Sequence, residues 1–145
     1  MSLDVVRAIH KTKGEAMTPF HSRVHGILKL ASKSPALTKT SSIISQSLSD
    51  IIYTLQFSPE SVQPMARDFC LSLAHTYIAA LLLEHAIHTT CPMDLMVVEN
   101  WCLRELCPVA KFGMERYSKE MGAKEKDLVY QMYDKDATFP PEFIR

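Results

Sequence analysis

The sequence predicts an all-α protein: an antiparallel helical bundle with two long central helices and shorter flanking helices. Two observations favour this fold. Apolar residues recur at helical spacing along most of the 145 residues, and no segment shows the strict apolar–polar alternation of a β-strand. The chain contains only 4 Gly, beside 8 Met and many Leu and Ala, a composition that favours helix over sheet.

Six helical segments follow from the apolar periodicity and from its breaks at Gly and Pro. Their approximate bounds are 3–13, 21–32, 37–56, 62–89, 93–120 and 124–135, with an extended tail after them. A loop containing Pro19 is expected to precede the second helix. Pro64 is expected in the first turn of the fourth helix, where a missing N–H costs nothing. Pro108 lies within the fifth segment and is expected to kink it.

The fourth and fifth segments are expected to form the centre of the bundle. The fourth is apolar around most of its circumference, which is typical of a helix with neighbours on several sides. The short turn at 90–92 makes the two helices antiparallel neighbours. We expect Leu73, Leu82 and Trp101 to be buried where these helices pack together.

The net charge is zero, but the two ends of the chain differ. Residues 1–40 carry seven Lys or Arg against Asp4 and Glu15, and residues 41–145 carry nine basic and fourteen acidic residues. We call residues 1–40 the basic front and residues 41–145 the acidic body. The excess of positive charge in the basic front indicates a contact with an anionic surface, either of a partner or of the acidic body itself. The small excess makes nucleic acid an unfavoured partner. The segment 24–30 could present an apolar face with flanking Lys to an anionic lipid surface.

The four cysteines help to predict the cellular compartment of the protein. Three of Cys70, Cys91, Cys102 and Cys107 lie in apolar helical patterns, where a reduced cysteine behaves as a small hydrophobe. No apolar run approaches the ~20 residues of a membrane span, and no signal peptide is recognisable before the first helix. We therefore expect an intracellular, reducing compartment, whether cytosol, mitochondrial matrix or peroxisome.

The densest group of ionisable side chains is Glu84, His85 and His88, followed by Cys91. The two histidines and the cysteine could offer ligands to zinc, but the sequence shows no fourth ligand. The favoured alternative is an ordinary pairing of Glu84 with His88 across one helical turn, near a helix C-terminus where a histidine is favourable.

Two other pairs show chemically suggestive spacing. His21 and His25 lie four residues apart, without the Glu and third ligand of a metalloprotease motif. Cys102 and Cys107 are five apart on a helix, so their thiols should point away from each other. No phosphate loop, nucleophile elbow or pair of buried carboxylates is recognisable. We therefore predict no catalytic, cofactor-binding or metal-binding residue in this chain.

Four short segments carry a resemblance to a known family. The opening Leu-Asp-Val-Val-Arg-Ala at 3–8 resembles a helix of acyl-CoA dehydrogenases that have an extra C-terminal region. The segment 99–105, with Trp101 and Cys102, is similar to a late helix of that region in very-long-chain members. The stretches 66–74 and 80–86 resemble its long helix. The chain therefore looks like the C-terminal helical domain of such a flavoprotein.

The resemblance implies a division of labour with a flavoprotein core. The FAD site, the acyl-CoA cavity and the catalytic glutamate of the family would all lie in that core, so FAD belongs to the parent and no cofactor to this chain. Residues 1–13 would be the end of a core helix, 14–138 the bundle and 139–145 the tail of a single helical domain. Its expected role is structural and inter-subunit, without catalysis by the chain alone.

Partners follow from the same interpretation. We expect contacts with the flavoprotein core, with neighbouring subunits and with other copies of this chain, and relatives also imply a membrane surface as a partner. If residues 3–13 come from a core helix, Val5, Val6 and Ile9 lack their cover. The segment should then fold back on the bundle or self-associate. The alternative function is a free-standing helical module whose basic face binds an anionic lipid or protein surface.

Overall fold

The fold is a bundle of α-helices joined by short turns, seen in a computed structural model that describes residues 2–106. The helices are α1 Ser2–Lys11, α2 Thr18–Ala31, α3 Thr38–Thr54, α4 Pro59–Val62, α5 Ala66–Thr89 and α6 Pro92–Arg104. Within residues 2–106 there is no β-strand, and the predicted all-α fold is confirmed. The helix predicted over 124–135, the tail and the kink at Pro108 lie outside the described residues.

Helix α5 occupies the centre and contacts α1, α2, α3 and α6. Its buried residues are Ala66, Phe69, Ser72, Thr76, Ala79, Ala80, Leu83 and Ala86. Most of them are small, which lets neighbouring backbones approach closely. The buried hydroxyls of Ser47 on α3 and Thr76 on α5 are hydrogen-bonded at 2.6 Å. This bond satisfies two polar groups that would otherwise be costly to bury.

The structure confirms the expected burial of three large residues only in part. Leu73, Leu82 and Trp101 are each partly buried, at the edges of the core. Trp101 packs on the ring of His75, and its indole N–H donates a 3.1 Å hydrogen bond to the His75 carbonyl. Because α5 carries apolar residues all round, size alone does not mark the inward face, which is the one lined by small residues.

Two prolines lie differently from their predicted places. Pro19, expected in a loop, lies in the first turn of α2, which begins at Thr18. Its fixed φ suits that position, and the first turn needs no N–H from it. Pro64, expected within the long helix, lies in a 3₁₀ turn over Gln63–Met65, and α5 starts only at Ala66.

The end of α6 also corrects a prediction. The helix expected over 93–120 ends at Arg104, where the Glu105 N–H donates to the Trp101 carbonyl at 2.9 Å. A proline at position 108 offers no N–H to the carbonyl four residues earlier, so a regular helix cannot satisfy Arg104 there. The Glu105 carbonyl lies 2.8 Å from Nδ1 of His75, which ties this end to α5.

The first helix folds back on the bundle. Val6 and Ile9 are buried in a core cluster with Ile51, Val62 and Phe69, among others, while Val5 stays 39% exposed. Folding back, one of the two expected outcomes for this segment, is found, and self-association stays a prediction. A charge at Val6 or Ile9 is therefore expected to destabilise the bundle, because both side chains are already covered.

Contrary to the expectation that no apolar stretch approaches a membrane span, one segment among residues 2–106, Gln63–Thr89, is long and apolar enough to cross a membrane by length and composition. The same property is common in the core helix of a bundle. Four other helices contact α5, so part of its apolar surface is used in packing, while Leu71, Ile78 and Leu81 remain exposed.

The inward face of α5 can be tested with two leucines two residues apart. Leu83 is fully buried and Leu81 is 40% exposed. Leu83→Ala should lower the free energy of unfolding by about 2–5 kcal/mol, because it leaves a cavity. The matched control Leu81→Ala should cost much less. Urea unfolding of both variants checks this, and equal losses would show that the face is misassigned.

Candidate functional site

A bifurcated polar contact between distant parts of the chain joins the basic front to α5. Arg23 on α2 donates two hydrogen bonds from Nη2 to the carboxylate of Glu84, at 3.0 and 2.7 Å. Glu84 is thus held by Arg23, and the predicted pairing of Glu84 with His88 is wrong. Helical spacing favoured that local pair, but a guanidinium from the adjacent helix offers a stronger partner. At Arg23, the basic front contacts the body of the chain.

The remaining members of the ionisable group surround the α5–α6 turn. His85 Nε2 lies 3.5 Å from Oδ2 of Asp94, and the Thr89 hydroxyl donates to the same oxygen at 2.6 Å. His88 and Cys91 are exposed. Within residues 2–106, no three His, Cys, Asp or Glu side chains are arranged to hold a metal ion. These contacts fix the start of α6 against the end of α5.

The histidine pair of α2 lies on its outer surface. The rings of His21 and His25 stack with centroids 5.9 Å apart, and both side chains are exposed. Val24 and Ile27, expected on a lipid-facing surface, are instead buried in the core. Val24 and Ile27 point inward because they share one helical face with the buried Ala31. The segment 24–30 therefore does not offer the predicted apolar face.

The three described cysteines are free thiols in different environments. Cys70 is partly buried, Cys91 exposed and Cys102 buried. Burial, with a smaller contribution from the Glu99 carboxylate, raises the pKa of Cys102 to about 12. Burial also raises the pKa of Cys70. The prediction that the thiols of Cys102 and Cys107 point away from each other involves Cys107, which lies outside the described residues.

Within residues 2–106, a group of exposed apolar side chains lies along α6, and we call it the α6 apolar face. It consists of Met93, Met96, Val97 and Leu103, which are 65%, 55%, 50% and 64% exposed. Single exposed apolar residues are common, but four on one 13-residue helix form a concentrated surface. The inward residues Val98 and Cys102 are buried at the same time. The outer side of the helix therefore carries apolar residues as well as its core side, beside the exposed Asn100 and Arg104.

A groove of about 500 Å³ opens at one end of the bundle, and we call it the α2–α6 groove. It lies between the end of α2 with the following 3₁₀ turn and the turn that joins α5 to α6. Its lining is Leu30, Lys33, Ser34, Ala36, Leu37, Ala86, Ile87, Thr90, Cys91, Pro92 and Leu95. A second, shallower groove of about 340 Å³ lies between α1, α2 and α5 and includes Cys70 in its lining.

The family model described as acyl-CoA dehydrogenase 11 C-terminal domain-like matches residues 15–130. The chain belongs to this family. Searches of curated proteins and of solved structures find no match. The match to the acyl-CoA dehydrogenase 11 C-terminal domain-like family begins after α1, so it excludes the opening resemblance at 3–8. It includes the resembling segments 66–74, 80–86 and 99–105.

Sequence reasoning missed the cross-helix pair of Arg23 and Glu84, because residues 61 positions apart leave no periodic signal. It also missed the α6 apolar face. A signal for that face was present, since Met93, Met96 and Val97 remain apolar after the inward positions of α6 are assigned.

The Arg23–Glu84 pair should contribute modestly to stability. The Arg23 side chain is 51% exposed, so we expect a coupling of about half a kcal/mol in a double-mutant cycle of Arg23→Met and Glu84→Gln. Added salt should weaken it. The Asp4–Arg7 pair, whose side chains are 71% and 67% exposed, serves as the control and should show less coupling. No difference between the two pairs would argue against a specific role for Arg23.

Cysteine alkylation should separate the thiols by environment. Iodoacetamide reacts with thiolates, so Cys102, with its pKa raised to about 12, should stay unmodified at pH 8 in the folded chain. The exposed Cys91 should react. Mass spectrometry of the digested protein checks this, and denaturant should make Cys102 reactive. Rapid native modification of Cys102 would contradict its burial.

Proposed function

We propose that this chain is the C-terminal domain of an acyl-CoA dehydrogenase-like, FAD-dependent oxidoreductase, with a structural and inter-subunit role and no catalysis by itself. Membership of the acyl-CoA dehydrogenase 11 C-terminal domain-like family supports the parent class. The FAD and the fatty acyl chemistry would be supplied by the core of that parent. We also propose a reducing intracellular compartment for it, because the buried Cys102 packs as a small hydrophobe.

The observation that carries the structural role is the α6 apolar face. Exposed apolar patches on small domains mark contact surfaces, and methionine is enriched in such contacts. Covering a half-exposed side chain such as Met96 or Val97 contributes roughly 1 kcal/mol, so the four together add roughly 4 kcal/mol to an interface that also needs contacts beyond this face. The flavoprotein core of the same subunit and a neighbouring subunit are the partners this face would serve.

The alternative, a free-standing module for an anionic lipid or protein surface, has less support. Its apolar face required Val24 and Ile27, which are buried, and one of its cations, Arg23, is bonded to Glu84. The exposed Lys29 and Lys33 still lie along α2 and after its end. Sedimentation of the chain with vesicles containing anionic lipid tests this alternative, and strong binding there would favour it.

The inter-subunit role can be tested through self-association. In sedimentation velocity, we expect the wild-type chain to form a concentration-dependent dimer, because none of residues 2–106 covers the α6 apolar face. Met96→Asp combined with Leu103→Asp should shift it to monomer while circular dichroism stays unchanged. Ser42→Asp with Ser45→Asp, at exposed positions of α3, adds the same charge as a control. A wild-type monomer at every concentration would contradict self-association through the α6 apolar face.

The division of labour with a flavoprotein core is tested separately. The isolated 145 residues should show no tight flavin binding and no acyl-CoA dehydrogenase turnover when FAD and a long-chain acyl-CoA are supplied. Turnover by this chain would contradict the non-catalytic assignment. The reading frame that encodes it should continue upstream into a flavin-binding domain, and a frame closed directly upstream would contradict the proposed parent.

A further inference from the structure

We propose that the α2–α6 groove binds a long-chain fatty acid, with the hydrocarbon chain against the apolar lining and the carboxylate beside Lys33 at the rim. The groove includes the first residues of α6, but none of the α6 apolar face. This site therefore goes beyond the proposed function, and its existence does not depend on a flavoprotein partner.

The lining of the groove matches a hydrocarbon chain. Its floor contains the buried residues Leu37 and Ala86, and its walls include Leu30, Ile87 and Leu95. Pockets that take small ligands typically measure about 300–1,000 Å³ and combine an apolar lining with a few polar groups. At about 500 Å³, this groove falls within that range. Filling it with methylene groups would remove apolar surface from water on both sides.

The charge at the rim selects the head group. Among the described residues that line the groove, Lys33 is the one that carries a charge, and Ser34 and Thr90 add hydroxyl groups. Lysine presents three N–H donors and no acceptor, so it favours an anion over a cation or a neutral lipid. An exposed lysine can lay its methylene stem on the apolar wall and keep its ammonium at the opening. A carboxylate at the end of an alkyl chain has this combination of properties.

The size of the groove sets the chain length. A methylene group is close in size to a water molecule, which occupies about 30 Å³ in the liquid, so the groove holds roughly sixteen such groups. Affinity should rise with each added methylene from octanoate to hexadecanoate, by less than the roughly fourfold of a fully buried methylene, because the groove is open to solvent on one side. It should level off beyond that length, because further methylenes remain in water.

Binding is measured with the full 145-residue chain by calorimetry, using octanoate, dodecanoate and hexadecanoate below their micelle concentrations. Saturable binding that strengthens with chain length is expected. Comparing dodecanoate with 1-dodecanol isolates the carboxylate, and the acid should bind more tightly. Equal affinity for the alcohol would overturn the role of Lys33, and no saturable binding of any of the acids would overturn the site.

Three variants at exposed positions locate the ligand without disturbing the core. Ala36→Trp should block the groove and abolish hexadecanoate binding. Lys33→Gln should weaken it by about two- to fivefold, the range for an exposed ion pair. Lys29→Gln, on α2 outside the lining, removes the same charge and should leave the affinity unchanged. Unchanged binding by Ala36→Trp would overturn the assignment to this groove.

Thiol protection gives an independent readout of position. Cys91 lines the α2–α6 groove and Cys70 lines the shallower groove. Bound hexadecanoate should slow alkylation of Cys91 by iodoacetamide and leave the alkylation of Cys70 unchanged, as followed by mass spectrometry. Protection of Cys70 instead of Cys91 would place the acid in the shallower groove and overturn the proposal.

Discussion

The close packing of α5 against its neighbours is the constraint on which the rest of the structure depends. The face it buries is built mainly from Ser72, Thr76, Ala79, Ala80 and Ala86, and these small side chains let adjacent helices approach. Larger side chains at the same positions would separate the helices and leave voids elsewhere. The hydroxyl contact between Ser47 and Thr76 adds a fixed register to this packing.

The same constraint determines what faces outward. Because the small residues of α5 are used inside, Leu71, Ile78 and Leu81 are 38%, 37% and 40% exposed on the outer side. The mean hydropathy of α5 is high because its buried side and its exposed side both carry apolar residues. By length and composition such a helix could span a membrane, and in this fold its four helical neighbours place it at the centre of the bundle.

The fold class and most helices were predictable, because apolar periodicity and Gly or Pro breaks are local signals. The sequence predicted α3 over 37–56, and the structure has it at Thr38–Thr54. The buried face of α5 was less predictable, since the apolar residues surround the helix and only tertiary contacts select one side. The Arg23–Glu84 pair was beyond prediction for a related reason. Which residue of α2 lies opposite Glu84 depends on the packing of two helices distant in sequence.

The α5–α6 turn connects the two surfaces that are available for function. Thr90 adopts φ 52 there, a left-handed conformation that ends α5 and reverses the chain. Asp94 accepts a hydrogen bond from Thr89, so the first turn of α6 is held against the last turn of α5. Pro92 and Leu95 then line the groove, while Met93 and Met96 point to solvent. One rigidly anchored helix start thus supplies a wall of the groove and the beginning of the α6 apolar face, and a rotation of α6 would change both together.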